Sequence, residues 1–189
     1  METKIHVKTL DSPLPPEAFK ALKRFPVTVI LDNLRSAFNV GGIFRTADCA
    51  LVQEVLTCGV TAHPPHEKLE KTALGALDYV PTRHYAHTRD AVLDLRAQGV
   101  PVVALELTDQ SQALWDFPFP LPVALVLGNE ALGVGPEILK LADAVVEIPM
   151  LGFKNSMNVA AAFSVVAYEI HRQHWGDWGH ESRIGHGST

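Results

Sequence analysis

The sequence has few cysteines and no long apolar run, and both absences narrow the class of protein. Its 189 residues include only two cysteines, too few for a disulfide framework or a four-cysteine zinc site. No apolar stretch approaches the roughly 20 residues that a membrane helix requires. Residues 1–9 lack the basic start and apolar core of a signal peptide. We therefore expect a cytoplasmic protein with no membrane association.

Several common enzyme signatures are also missing. The chain has no Walker loop and no Gly-x-Ser-x-Gly elbow, and the Gly-Val-Gly sequence at 133–135 lacks the third glycine of a dinucleotide-binding loop. The pairs His63/His66 and His171/His174 have spacings that a metal could use, but no third ligand lies near them in the sequence. We expect no bound metal and no nicotinamide cofactor.

Positive charge is scarce overall and concentrated near the N-terminus. The formal net charge is −5, which argues against indiscriminate binding of nucleic acid. Residues 1–45, however, carry +3, whereas the chain from Ala97 onward carries −6. If RNA is bound, the candidate contacts are therefore the basic residues of this first quarter: Lys20, Lys23, Arg24 and Arg35.

What the sequence does contain is an alternation of short apolar runs with helical patterns, which predicts an α/β fold with a mostly parallel sheet. The predicted strands are Val27–Leu31, Glu54–Cys58, Val80–Tyr85, Val100–Leu107, Val123–Leu127 and Ala144–Ile148. The predicted helices are Pro15–Phe25, Gly42–Leu51, Thr88–Gln98, Pro136–Ala142 and Ser156–His174.

The last of these helices is apolar on two sides. Val159, Phe163, Val166 and Ile170 form one stripe at helical spacing. A second side, which carries Ala160, Ala161, Ser164, Ala167 and Tyr168, has mostly small residues that would let another backbone approach. In a chain of this length a second subunit could cover that side, so we predict a homodimer through it.

Three segments place glycines and polar residues next to predicted strand ends, where α/β proteins bind ligands. They are Asn39-x-Gly41-x-x-x-Arg45-Thr46-Ala47, Gly128-x-Glu130-x-x-Gly133, and Ile148-Pro149-Met150 followed by Ser156-Met157-Asn158-Val159. Taken singly, each has a structural interpretation: Asn39 and Ser156 as helix caps, the glycines as turn residues, and Arg45 with Glu130 as a salt bridge.

In this order the three segments resemble the motifs of the SpoU–TrmH family, AdoMet-dependent RNA ribose 2′-O-methyltransferases of the SPOUT class. The resemblance runs from about Val27 to Gln173 and implies an α/β domain with a deep C-terminal trefoil knot that forms a homodimer. We expect a basic N-terminal extension (1–26), the methyltransferase domain (27–174) and a flexible tail (175–189).

The resemblance also implies the site. Its AdoMet-contacting positions correspond to Leu105, Gly128, Ile148, Ser156 and Met157. Its polar set corresponds to Asn39, Arg45, Glu130, Ser156 and Asn158, with Arg45 at the catalytic position. One departure is Ala160, where many members have serine.

We therefore expect a ribose methyltransferase that acts on RNA, and we favour tRNA over rRNA as its substrate. Two alternatives stay open at this point. One is a SpoU-like protein that binds RNA without methylating it, and the other is an ordinary α/β cofactor enzyme. Retention of the whole polar set argues against the first, and the missing dinucleotide loop argues against the second.

Overall fold

A computed structural model describes residues 14–177. Seven strands form one sheet in the order β3-β2-β1-β6-β4-β7-β5, and every neighbouring pair is parallel. The strands are β1 (Phe25–Asp32), β2 (Val52–Cys58), β3 (Thr82–Tyr85), β4 (Val102–Leu105), β5 (Gln112–Ala113), β6 (Val123–Leu127) and β7 (Ala144–Glu147). The predicted α/β class with a mostly parallel sheet is confirmed.

Six α-helices and one short 3-10 helix connect the strands within this part of the chain. They are α1 (Pro16–Lys20), α2 (Ala37–Cys49), α3 (Glu67–Ala73), the 3-10 helix Ala76–Asp78, α4 (Thr88–Ala97), α5 (Pro136–Leu139) and α6 (Val159–Gln173). Among residues 14–177, no helix combines the length and the hydropathy that crossing a bilayer requires.

The helices divide the hydrophobic core into two layers, one on each face of the sheet. Side chains of α2, α3 and α6 pack against one face, and side chains of α4 and α5 pack against the other. The central strands β1 and β6 are almost wholly buried, as expected for parallel strands that helices cover on both sides. Their near-continuous apolar sequence follows from this double burial.

Two helices begin at other residues than the pattern predicted. Helix α2 starts at Ala37 rather than Gly42, because the Ser36 side chain caps it by accepting a hydrogen bond from the Asn39 N–H. Asn39 is thus a helical residue and not a cap. Helix α6 starts at Val159 rather than Ser156, and its cap is Asn158, whose side chain accepts from the N–H groups of Ala160 and Ala161.

The N-terminal helix is shorter than the predicted range 15–25. It ends at Lys20, and Phe25 already begins β1, where its ring is fully buried. Three elements were missed altogether: α3, whose sequence is mostly charged, the 3-10 helix Ala76–Asp78, and β5, which has only two residues. None of them carries an apolar pattern long enough to indicate a period.

The small-residue side of α6 faces α2 of the same chain, and this corrects the predicted subunit contact. A Cβ on Gly42 would lie 3.2 Å from the Ala160 Cβ, and the hydroxyls of Thr46 and Ser164 are 2.9 Å apart. Ala167 is only 2% exposed within the single chain. The Ala160/Ser164/Ala167 set therefore packs on α2 of the same chain, with Ala167 buried and with Ala160 and Ser164 half-buried.

Candidate active site

The carboxyl ends of β6, β4 and β7 meet at one edge of the sheet and bring together three of the predicted cofactor-contacting residues. Leu105 ends β4 and pairs with Leu127 of β6 and Val146 of β7. Gly128 and Ile148 directly follow β6 and β7. Such an edge is where open parallel sheets bind ligands. Three residues far apart in the sequence thus share one location.

A tight turn follows β6 and closes on itself. The N–H groups of Asn129 and Gly133 donate to each other's carbonyl at 3.0 and 2.8 Å. The Asn129 side chain accepts from the N–H groups of Ala131 and Leu132. Gly133 has φ +69° and lies against Glu106, which accepts from the Val134 N–H at 2.8 Å.

Gly128 is required by this turn itself. A Cβ on Gly128 would lie 2.3 Å from the backbone of both Gly133 and Val134. The conflict would be with the protein's own backbone and not with the end of a flexible side chain. The glycine allows the strand end and the returning turn to touch, so a substitution would displace the backbone of the site as well.

Glu130, on the same turn, reaches across to the start of α2. Its carboxylate accepts from the N–H groups of Arg35 (2.9 Å) and Ser36 (3.1 Å) and from the Asn39 side-chain amide (2.8 Å). The Asn39 side-chain oxygen in turn accepts from the Asn158 amide at 2.9 Å. One hydrogen-bonded network, Glu130–Asn39–Asn158, therefore joins the three motif segments.

The charge of Glu130 is maintained by these contacts. Burial by itself would raise the pKa of the Glu130 carboxyl, but the hydrogen bonds from the Arg35 backbone, the Asn39 side chain and the Ser36 backbone outweigh it. The pKa is consequently lowered from its ordinary value. Glu130 thus serves as an anionic anchor for the N-terminus of α2, where negative charge is also favoured by the helix dipole.

Arg45 and Ser156 lie outside the network. Arg45 follows Asn39 by six residues on α2, about 9 Å along the helix axis at the usual rise per residue. Its side chain is exposed and makes no hydrogen bond or ion pair within the described part of the chain, so the salt bridge to Glu130 does not form. Ser156 is exposed, and Met157 is 41% exposed in the segment that precedes α6.

The predicted RNA-contacting residues differ in the contacts that their side chains make within the protein. The Arg24 guanidinium donates to the carbonyls of Val52 and Tyr79, and burial lowers its pKa although Asp48 acts in the opposite direction. Arg24 therefore stabilises the fold. The Lys20 ammonium lies 5.8 Å from the Tyr79 ring centre, whereas the Arg35 side chain is exposed.

The paired histidines hold local structure together. His66 caps α3 by accepting from the Leu69 N–H, and His63 stacks on His84 at 3.8 Å between ring centres. His171 bonds the Ala50 carbonyl at 2.7 Å, and His174 bonds the carbonyl of Phe119 at 2.9 Å. Each of the four thus has a defined contact with protein groups.

Two clefts lie on the β1 side of the Asn129–Gly133 turn, next to the network. One, of about 570 Å³, is lined by Asp32, Arg35 and the turn. The other, of about 580 Å³, lies between the start of α2 and the segment that links β2 to α3. The second cleft was missed at the level of sequence, because its residues come from segments without a recognisable motif.

These features define an α/β protein in which three hydrogen-bonded motif segments form a candidate ligand site at the carboxyl edge of a parallel sheet. Residues 26–168 match the model of the SpoU rRNA Methylase family. The chain therefore belongs to that family, as its motifs predicted.

Individual relatives agree with this assignment. A tRNA (guanosine(18)-2′-O)-methyltransferase of Escherichia coli K12 is 31% identical over 147 residues, which cover 78% of this chain and 63% of the relative. An AdoMet-bound rRNA methyltransferase of Sinorhizobium meliloti superposes with a TM-score of 0.73 at 30% identity, over 82% of this chain and 59% of that one. A chain from a study of 2-OH methylation of C/U34 on tRNA is 27% identical with a TM-score of 0.69, over 79% of this chain and 97% of that one.

Proposed function

We propose that this protein transfers a methyl group from AdoMet to a ribose 2′-hydroxyl of RNA, with tRNA as the substrate rather than rRNA. The observation that carries the proposal is the Glu130–Asn39–Asn158 network, which unites all three motifs in a member of this family. The names of the E. coli relative and of the C/U34 structure support tRNA. The chain spans 63% of the length of the E. coli relative.

The residues at the strand ends fit AdoMet. Leu105 and Ile148 are partly buried side chains that pack against the core and can cover an adenine ring. Gly128 lets the Asn129–Gly133 turn lie close against the end of β6, beside these two side chains. When bound, AdoMet supplies a methyl group on a cationic sulfur, an excellent leaving group. Ser156 and Met157 would contact it from the segment before α6, and the donor set calls for no metal.

Arg45 is the proposed catalytic residue. A ribose hydroxyl is a weak nucleophile until its proton is removed or its developing negative charge is stabilised. A guanidinium keeps its proton near neutral pH, so we assign Arg45 the task of holding the ribose and its phosphate and stabilising the oxyanion. Its exposed side chain has no partner among residues 14–177, which leaves its donors available for RNA.

The polar network holds the segments that carry this chemistry. Asn158 caps α6 while donating to Asn39, so the segment with Ser156 and Met157 is tied to the helix that carries Arg45. Glu130 fixes the start of the same helix. The network thus serves to position Arg45 relative to the cofactor site.

We further propose a homodimer through those members of the second side of α6 that α2 leaves uncovered. The side of α6 that α2 leaves uncovered includes Ala161 and Tyr168, the latter 51% exposed. Tyr168→Arg should yield a monomer by light scattering without loss of folded structure, and a monomeric wild type would contradict the proposal.

The topological knot and the cytoplasmic location also belong to this proposal. The match to the SpoU rRNA Methylase family supports the knot. Lys20, Lys23 and Arg35 would contribute to binding the RNA backbone. Arg24 would not, because protein carbonyls already occupy its guanidinium.

The test is incubation of the protein with labelled AdoMet and either total tRNA or total rRNA. We expect label in tRNA, and a decrease of about a hundredfold or more for Arg45→Ala at unchanged AdoMet affinity. Arg45→Lys should also be badly impaired, because it keeps the charge but loses the planar fork. RNA binding without any label would favour the non-catalytic alternative.

A further inference from the structure

The cleft between the start of α2 and the segment after β2 is unusual in its charge. Of the eleven residues that line it, none is acidic, although the chain has 21 acidic against 16 basic residues. Arg35 and Lys68 line it from opposite segments, together with His63 and His66. A cleft of this kind is electrostatically suited to a polyanion.

The two long cations of the cleft are not used by the fold. Both side chains are exposed, and neither takes part in an ion pair within residues 14–177. Lys71, one turn later on α3, differs in that it pairs with Glu67. Arg35 and Lys68 are therefore available to phosphate groups.

The same cleft presents flat rings. Phe38 lines it and is 76% exposed, although it is a large apolar side chain. His63 lies flat on His84, and the His84 ring is held by the Thr57 hydroxyl at 3.1 Å. Exposed rings beside cations are the combination with which proteins stack the bases of single-stranded nucleic acid.

The cleft adjoins the polar network. Phe38 immediately precedes Asn39, and the backbone N–H of Arg35 donates to Glu130. A nucleotide in this cleft would thus lie beside the network that positions Arg45, next to the nucleotide whose ribose Arg45 holds. The cavity of about 580 Å³ is large enough to accept a base with its sugar and phosphate.

We propose that this cleft binds an unpaired nucleotide that flanks the methylated one, with its base stacked on Phe38 and its phosphates held by Arg35 and Lys68. The substrate class is accordingly RNA in a looped or single-stranded conformation. A base inside a duplex is stacked on its neighbours, so it has no free face for Phe38. This inference rests on the proposed function and adds a specificity site to it.

The test is fluorescence anisotropy with a labelled single-stranded RNA of about ten nucleotides. Phe38→Ala should weaken binding about fivefold or more, as loss of a stacked base does, while Phe38→Tyr should restore it. Lys68→Ala should lower the slope of log affinity against log salt by about 0.7, the value for one phosphate contact on a single strand. The same RNA in a duplex should bind more weakly to wild type.

Matched controls come from the same chain. Lys71→Ala makes the same charge change on α3 outside the cleft, and Trp115→Ala removes an exposed ring near β5, at the opposite edge of the sheet. Both should bind the oligonucleotide like wild type. Unchanged affinity in Phe38→Ala, or an equal loss in the controls, would overturn the proposal.

The methylation assay separates this inference from the proposed function. If the enzyme labels RNA, Phe38→Ala should raise KM for RNA while leaving KM for AdoMet unchanged. An unchanged KM for RNA would refute the binding role of the cleft but not the proposed function. If wild type labels no RNA but Phe38→Ala still weakens oligonucleotide binding about fivefold or more, the proposed function fails and the cleft stands.

Discussion

Removing the Glu130 carboxylate should destabilise the protein by an amount that follows from its three hydrogen bonds. In Glu130→Ala the N–H groups of Arg35 and Ser36 and the Asn39 amide lose their acceptor. Because the site is exposed, water replaces part of each bond, and we expect about 1 kcal/mol for each. The total of about 3 kcal/mol corresponds to a decrease in Tm of roughly 6–12 °C for a domain of this size.

The pH dependence of this difference provides an independent check. The pKa of Glu130 in the folded protein lies below its ordinary value of 4.5. Its stabilising contribution is therefore complete above about pH 4.5 and is lost as the pH falls through the folded value. The gap in stability between wild type and Glu130→Gln should narrow on acidification, measured by urea unfolding followed by circular dichroism.

Glu137→Ala is the matched control, because it removes an exposed acidic residue from the first turn of α5. Within residues 14–177 its side chain accepts no hydrogen bond, so we expect a change of less than about 0.5 kcal/mol. If Glu130→Ala and Glu137→Ala unfold at the same denaturant concentration, the network does not stabilise the start of α2 and the reasoning fails.

Two further substitutions test the packing around the site. Gly128→Ala should lower both Tm and AdoMet affinity by calorimetry, because its Cβ would collide with the backbone of Gly133 and Val134; an unchanged Tm would contradict the close approach. Ala167→Arg should cost about 3 kcal/mol or more, since the residue is 2% exposed within one chain. A folded, monomeric Ala167→Arg would instead restore the original prediction of a subunit contact there.

The core strands and the fold class were predictable from the sequence, because strands that are buried on both faces have near-continuous apolar sequences. Val123–Leu127 has the same bounds in the structure as in the prediction, since this strand is fully buried and abruptly bounded. Elements whose sequences lack a clear apolar pattern were missed. Helix α3 is held by the His66 cap and by only two buried side chains, Leu69 and Ala73, too few to produce a visible period.

Part of the polar set could be predicted to meet, but its geometry could not: Arg45 and Ser156 lie outside the network that the other three members form. The motifs indicated Asn39, Glu130 and Asn158 as residues that act together, and the structure joins them by hydrogen bonds. Which element covers the small-residue side of α6 could not be read from a helical pattern, because a pattern shows that a side is apolar but not what covers it. The sequence also does not show that the Arg24 guanidinium donates to the carbonyls of Val52 and Tyr79, which lie far from it in the chain.

The chemical position of the transferred methyl group shows directly whether the protein methylates the ribose 2′-hydroxyl of RNA. After incubation with labelled AdoMet and tRNA, the RNA is digested to nucleosides and the labelled product is identified by chromatography and mass spectrometry. We expect a single class of 2′-O-methylated nucleoside, greatly reduced with Arg45→Ala. Label on a base, or equal 2′-O-methylation by Arg45→Ala, would contradict it.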